Sequence, residues 1–117
     1  MTPEELKDLA QAALEEMKAV DITVLDVRKV SSITDYMLVA SGTSDRHVRS
    51  VIGGVVEKMR ERGVKPLGVE GETHAQWALV DLGDVIVHVM RPEVREFYQL
   101  EKLWGFDGGE AEGGTAR

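Results

Sequence analysis

The chain has 117 residues, no cysteine and a formal net charge of -7, which suits one domain with one core and excludes disulfides and thiolate metal sites. Its 43% hydrophobic residues predict a folded chain, and without cysteine or any apolar run near the ~20 residues of a membrane span we expect a cytoplasmic protein. The negative charge argues against a protein that wraps nucleic acid, whose phosphates need Lys and Arg, and favours a basic protein partner.

The first predicted element is a helix at the N-terminus. Thr2 can cap this helix, Pro3 suits its first position, and Glu5 completes a capping box. The apolar residues that recur at helical spacing are Leu6, Leu9, Ala10, Ala13, Leu14 and Met17.

Two strands are predicted to follow. Residues 21–30, DITVLDVRKV, are rich in β-branched side chains and predict a strand. Residues 31–35, SSITD, predict a connector. Residues 36–41, YMLVAS, are nearly all apolar, as expected of a strand that is buried on both faces.

A second helix is predicted from just after Gly42 to about Arg62. Its apolar side comprises Val48, Val51, Ile52, Val55, Val56 and Met59. Gly53 and Gly54 lie in its middle, where each costs roughly 1 kcal/mol relative to Ala, and we expect them to allow close packing against the sheet. Gly63 is expected to end the helix.

The second half of the chain predicts three strands and a last helix. Residues 66–71 predict a short strand, and residues 75–90 contain two apolar runs joined by the two-residue hairpin turn Gly83-Asp84. Pro92 begins a helix that we expect to end near Trp104. Because this helix is apolar on more than one side, it should either fill a cleft or meet another molecule.

These elements predict an α/β fold in the order α-β-β-α-β-β-β-α, with helices packed on a mixed β-sheet. Residues 1–104 should form a single domain. Residues 105–117 form an acidic, glycine-rich tail that we expect to be disordered.

The hairpin turn sets the register of its two strands and so sorts their side chains. One face is apolar and belongs to the core; it comprises Ala78, Val80 and Leu82 opposite Val89, Val87 and Val85. The other face is mixed; it comprises Trp77, Leu79 and Asp81 opposite Met90, His88 and Ile86. Either a helix covers this mixed face or part of it is a docking patch, because Trp and Met are enriched at interface centres.

The segment LVASGTSDRH, residues 38–47, resembles a phosphate-binding turn at the N-terminus of a helix. However, it lacks the Lys of a P-loop and the G-x-G-x-x-G pattern. Nucleotidyl transfer also needs a pair of carboxylates about ten residues further on to hold metal ions, and that window, VRSVIGGVV, contains no acid. We therefore interpret Gly42 as a structural turn and Ser44, or Thr43, as the helix cap.

The histidines give no sign of a metal site or of catalysis. His47, His74 and His88 share no metal-ligand spacing and suggest no Ser-His-Asp arrangement. We expect neither a metal nor another cofactor. His47 should make local hydrogen bonds, and His88 should pair with Asp81 or with a helix residue.

Three segments of the chain resemble the bacterial ribosomal silencing factor family, also called the Iojap-like family. They are SSITDYMLVASGTSDRHVRSV, PLGVEGE and WALVDLGDVIVHVMRPEVREFYQLEKLW. The resemblance extends from about residue 4 to residue 104 and is dense over residues 31–50 and 66–104.

This resemblance implies a nucleotidyltransferase-like fold without demonstrated transferase activity, and hence a protein that is not an enzyme. It implies binding to the fourteenth large-subunit ribosomal protein, so that the small subunit cannot join and translation falls. It further implies a homodimer when free, and the acidic charge implies little direct contact with RNA. A large-subunit assembly factor, or an enzyme that uses the Gly42 loop, remains the alternative.

The resemblance also implies which residues matter. Partner binding is assigned to Trp77, Asp81, His88, Met90, Tyr98, Glu101 and Lys102. A structural role is assigned to Asp35, Gly42, Ser44, Arg46 and His47.

Overall fold

The structure, a computed structural model, describes residues 1–98, with side chains through residue 96. Its elements are α1 (Pro3–Glu16), β1 (Val20–Asp26), β2 (Tyr36–Ser41), α2 (Asp45–Glu61), β3 (Gly68–Glu70), β4 (Trp77–Asp81), β5 (Val85–Met90) and α3 (Pro92–Tyr98). The predicted helix end near Trp104 and the predicted acidic tail lie outside the described residues.

The capping box predicted for α1 is confirmed. The Thr2 hydroxyl accepts a hydrogen bond from the Glu5 backbone N–H at 3.0 Å, and the Glu5 carboxylate accepts one from the Thr2 N–H at 2.8 Å. Two N–H groups that the helix cannot satisfy are thus bonded at its start. The helix buries five of the six predicted apolar residues, Leu6, Leu9, Ala10, Ala13 and Leu14. The sixth, Met17, is the C-cap and is half-buried.

The five strands form one mixed sheet in the order β1-β2-β5-β4-β3. β2 runs parallel to β5, and the other neighbouring strands are antiparallel. Every residue of β2 is buried, because β2 lies inside the sheet with apolar clusters on both of its faces. The predicted mixed sheet with packed helices is confirmed.

The predicted strand over residues 21–30 is too long, because β1 ends at Asp26. The Asp26 carboxylate accepts a hydrogen bond from the Arg28 backbone N–H at 3.1 Å, and this local bond favours a turn. The N–H groups of Val30 and Ser31 then donate to the Val27 carbonyl. The β-branched composition of the segment did not reveal this local turn.

The two glycines in the middle of α2 do not serve to pack the helix against the sheet, so that prediction is wrong. A Cβ at Gly53 would meet no atom within 4 Å. A Cβ at Gly54 would collide with the side chain of Met17, at the end of α1. Gly54 therefore allows close approach between two helices, and Gly63, with φ +77°, ends α2 as predicted.

The predicted hairpin register is confirmed. Trp77 lies opposite Met90, Leu79 opposite His88, and Asp81 opposite Ile86. The turn places Gly83 at φ +88°, a conformation that glycine adopts without strain and that suits its first central position. The apolar face of the hairpin lies in the main core under α1 and α2, as predicted.

A candidate protein-binding face

The second face of the sheet, the one opposite α1 and α2, carries the mixed side chains of the hairpin. This second face comprises Trp77, Leu79 and Asp81 from β4 and Ile86, His88 and Met90 from β5. Four residues that the family resemblance assigns to partner binding therefore lie together on it: Trp77, Asp81, His88 and Met90.

Burial differs across the second face. Met90 is fully buried and packs in a small cluster with Met37, Val39 and the α3 residue Val94. Trp77, Leu79, Asp81 and Ile86 are only half-buried. α3 thus covers the Met90 end of the face through Val94. Trp77, opposite Met90, packs against the same cluster and stays partly exposed, as do the residues nearer the turn. Direct contact with a partner suits Trp77 and Asp81 better than Met90.

Among the described residues, His88 is hydrogen-bonded to Trp77, and not to Asp81 or to a helix residue as predicted. The indole Nε1–H of Trp77 donates to His88 Nδ1 at 3.0 Å, and the ring centroids are 5.9 Å apart. Because Nδ1 accepts this bond, the neutral ring carries its proton on Nε2. Burial lowers the pKa of His88 to about 4, so the acceptor is preserved at neutral pH.

The Asp81 carboxylate has a local role in the hairpin. It accepts a hydrogen bond from the Gly83 backbone N–H at 2.9 Å, which stabilises the turn at the end of β4. One carboxylate oxygen takes part in this bond, and a carboxylate has further acceptor capacity. Asp81 can therefore support the turn and still present negative charge on the second face.

The remaining residues assigned to partner binding lie at or beyond the limit of the described chain. Tyr98 is the last described residue of α3, and its side chain, Glu101 and Lys102 lie outside the described residues. Their assignment to partner binding stays a prediction.

Arg95 holds α3 against the sheet, and sequence reasoning missed it. Its guanidinium donates to the Asp21 carbonyl at 2.6 Å, to Thr23 Oγ1 at 2.8 Å and to Ser41 Oγ at 3.1 Å. These bonds join α3 to both β1 and β2. Asp21 has φ +53°, beside an irregularity in the β1 register, a local feature that the strand pattern did not indicate.

The Gly42 loop is closed by bonds within the chain. The Gly42 N–H donates to the Met90 carbonyl at 3.0 Å, and the Thr43 N–H donates to His47 Nδ1 at 2.9 Å. Ser44 is the N-cap of α2, and its Oγ accepts a hydrogen bond from the His47 N–H. The amides of Gly42 and Thr43, which would line a phosphate cradle, are therefore already bonded.

Space at Gly42 is also limited. A Cβ at this position would lie 2.6 Å from Val48 Cγ2, inside the first turns of α2. Asp45 places a carboxylate beside the loop and pairs with Arg91 at 2.9 Å. The loop thus serves to join β2 closely to α2.

His47 connects the start of α2 to the end of α1. Its Nδ1 accepts from Thr43, so its Nε2 carries the proton and donates to the Met17 carbonyl at 2.9 Å. The predicted local hydrogen bonding is confirmed, and the bond to Met17 adds a contact across 30 residues.

Within residues 1–98 no three His, Cys, Asp or Glu side chains are grouped so as to hold a metal ion, and no helix there has the length and apolarity to span a membrane.

These features define a small α/β domain with an aromatic, half-exposed sheet face beside its last helix. The chain belongs to the family described as ribosomal silencing factor during starvation, whose family model matches residues 1–115. The match extends beyond residue 104, where the resemblance seen in the sequence ends. Membership implies a role in regulation at the large ribosomal subunit.

Individual relatives agree with the family. A protein from Chromobacterium violaceum named ribosomal silencing factor RsfS is 46% identical over 105 residues, which cover 90% of this chain and 86% of the relative. A crystal structure of a protein from the same organism matches with a TM-score of 0.88 and 42% identity, covering 100% of this chain and 95% of that one. The mouse protein named mitochondrial assembly of ribosomal large subunit protein 1 is 36% identical, over 83% of this chain and 44% of the mouse protein.

Proposed function

We propose that the chain binds the large ribosomal subunit through its fourteenth ribosomal protein and thereby keeps the small subunit from joining. The observation that carries this proposal is Trp77, a half-buried aromatic residue held on the second face of a silencing-factor domain. Trp is among the residue types that are enriched at the few positions that dominate the affinity of a protein interface.

Charge supports a protein partner over RNA. The chain has a formal net charge of -7, so extended RNA phosphate surfaces repel it and a basic ribosomal protein attracts it. Asp81 lies on the second face, four residues after Trp77 on the same strand. A carboxylate beside an aromatic anchor suits a partner surface with Lys or Arg at its rim.

The proposed mechanism requires only that the protein occupy its site on the large subunit; it involves no chemical step. An interface of standard size buries on the order of 1,600 Å² in total, and a few anchor residues supply most of its affinity. A domain bound where the small subunit docks would exclude that subunit sterically, and translation would fall. We infer a homodimer when free, as the family resemblance implies, and a cytoplasmic protein, as the absence of cysteine favours.

Co-sedimentation with purified large subunits tests the placement of the interface. Trp77→Ala is expected to weaken binding by about 2 kcal/mol or more. The matched control is Leu67→Ala, which removes a side chain that is 75% exposed and lies outside the second face. Wild-type sedimentation of Trp77→Ala would show that the second face is not the ribosome-binding surface.

A role in large-subunit assembly is the second candidate function. The name of the mouse relative favours it, since that protein is named for assembly of the mitochondrial large subunit. Both functions use the same partner, so binding alone does not separate them. Large subunits purified from cells that lack the protein would be incomplete if assembly is its task and complete if silencing is its task.

A further inference from the structure

The indole N–H of Trp77 donates its hydrogen bond to another residue of the same chain. Trp77 lies opposite Met90 and His88 lies opposite Leu79, so Trp77 and His88 are diagonal neighbours across the hairpin. That spacing is within reach of aromatic side chains. The bond from Trp77 Nε1 to His88 Nδ1, at 3.0 Å, spans this diagonal.

The two rings differ in their access to a partner. His88 is 8% exposed, whereas Trp77 is half-buried. A partner can therefore contact Trp77 while His88 stays underneath. Since the indole has a single N–H and His88 accepts it, the exposed part of Trp77 offers carbon atoms of the ring.

We propose that His88 is a positioning and specificity residue for partner binding and not a contact residue. It fixes the orientation of the Trp77 ring before the partner arrives and withholds the indole N–H from it. The partner group that fits is then an aliphatic side chain, or the aliphatic stem of Lys or Arg, packed on the ring. This inference rests on the proposed function, because it takes Trp77 as the anchor.

Preorganisation explains how such a residue raises affinity without touching the partner. A side chain that is already fixed loses less conformational entropy when it binds. If His88 could not accept the bond, the indole N–H would lose this acceptor and the ring would be held less firmly in its orientation. Affinity would fall even though every contact residue remained.

The test combines two substitutions at His88 with one at Trp77. His88→Leu keeps the volume and removes the acceptor, whereas His88→Asn restores an oxygen near the position of Nδ1. Trp77→Phe keeps an aromatic ring and removes the N–H. The readouts are the Kd for purified large subunits, the NMR signal of the Trp77 indole N–H in ¹⁵N-labelled protein, and the thermal midpoint.

We expect His88→Leu to shift the indole signal and to raise Kd about 10-fold, and His88→Asn to restore Kd to within about 3-fold. In the Trp77→Phe background, His88→Leu should change Kd less than about 2-fold, because the bond through which His88 acts is already gone. A purely structural role would instead lower the thermal midpoint with an equal change of Kd in both backgrounds.

Two outcomes would overturn the inference while leaving the proposed function intact. In the first, Trp77→Ala loses binding to the large subunit, whereas His88→Leu binds as the wild type does. The other is a Trp77→Phe variant that loses as much affinity as Trp77→Ala, since the partner would then use the N–H itself. Wild-type binding by Trp77→Ala would instead remove the proposed function. If His88→Leu does not fold, the comparison of His88→Asn with Trp77→Phe still decides whether the N–H is withheld.

Discussion

Arg95 in α3 donates a hydrogen bond to the backbone carbonyl of Asp21 in β1, at 2.6 Å and across 74 residues of sequence. The same guanidinium reaches Thr23 and Ser41. One side chain thus fixes the start of the last helix to two strands. Since Tyr98, which is assigned to partner binding, belongs to this helix, Arg95 sets the position of the α3 backbone that carries it relative to the sheet.

Arg95→Ala is therefore expected to loosen α3 and weaken binding to the large subunit. Hydrogen bonds from a charged donor contribute roughly 1.5–3 kcal/mol each, and partial exposure puts the expected loss of unfolding free energy at about 2 kcal/mol. Urea denaturation and co-sedimentation measure the two effects. The control is Arg60→Ala, which removes an exposed ion pair with Glu57 and should change stability by less than about 1 kcal/mol. Equal effects of the two variants would contradict this role.

Acid should destabilise the fold through His88. Burial lowers its pKa to about 4 from an ordinary value of 6.5, so between these values the unfolded chain binds a proton that the folded chain does not. Stability is therefore lost as pH falls through this range, by about 1.4 kcal/mol per pH unit from this group.

The measurement is urea denaturation of the wild type and of His88→Asn between pH 7 and pH 5. Acidic side chains contribute equally to both proteins, so the difference between the two curves isolates His88. Parallel curves would show that His88 titrates normally in the folded protein.

Gly42→Ala is expected to destabilise the protein. Its Cβ would lie 2.6 Å from Val48 Cγ2, and overpacking of a buried contact costs about 1–3 kcal/mol. The matched control is Gly53→Ala, where the new methyl group meets nothing within 4 Å and should stabilise α2 by about 1 kcal/mol. Thermal unfolding of both variants checks that Gly42→Ala lowers stability and that Gly53→Ala raises it. If Gly42→Ala left the stability unchanged, the turn would have space for the added methyl group and the prediction would be wrong.

The Gly42 loop should not bind ATP with magnesium. Its amides at Gly42 and Thr43 already donate within the chain, so they are not free to bind phosphate. Isothermal titration should give no saturable heat at concentrations up to about 1 mM. A defined dissociation constant below that concentration would restore the enzyme interpretation.

The hairpin shows what could be derived from sequence alone. A two-residue turn at Gly83-Asp84 fixes the register, and the register assigns each side chain to a face, so Trp77 and His88 could be placed on the same side. Their mutual hydrogen bond could not be derived. Face assignment says which residues are neighbours, but the choice between Trp77 and Asp81 as the partner of His88 depends on rotamers.

Contacts between residues that are far apart in the chain are harder to derive from the sequence. Arg95 bonds to the carbonyl of Asp21, whose backbone is left-handed, and the pattern of a strand does not indicate such a conformation. Similarly, Gly54 was expected to pack on the sheet and instead faces Met17. Helical spacing identifies a face of α2, but which neighbour covers that face is a property of the assembled fold.

The most direct test of the proposed silencing function is sucrose-gradient sedimentation of purified small and large subunits, with and without the protein. If the protein occupies the face where the small subunit docks, adding it should shrink the joined-ribosome peak and increase the free subunits, while Trp77→Ala leaves the joined peak largely intact. A joined-ribosome peak that stays unchanged at saturating wild-type protein would contradict silencing by steric exclusion.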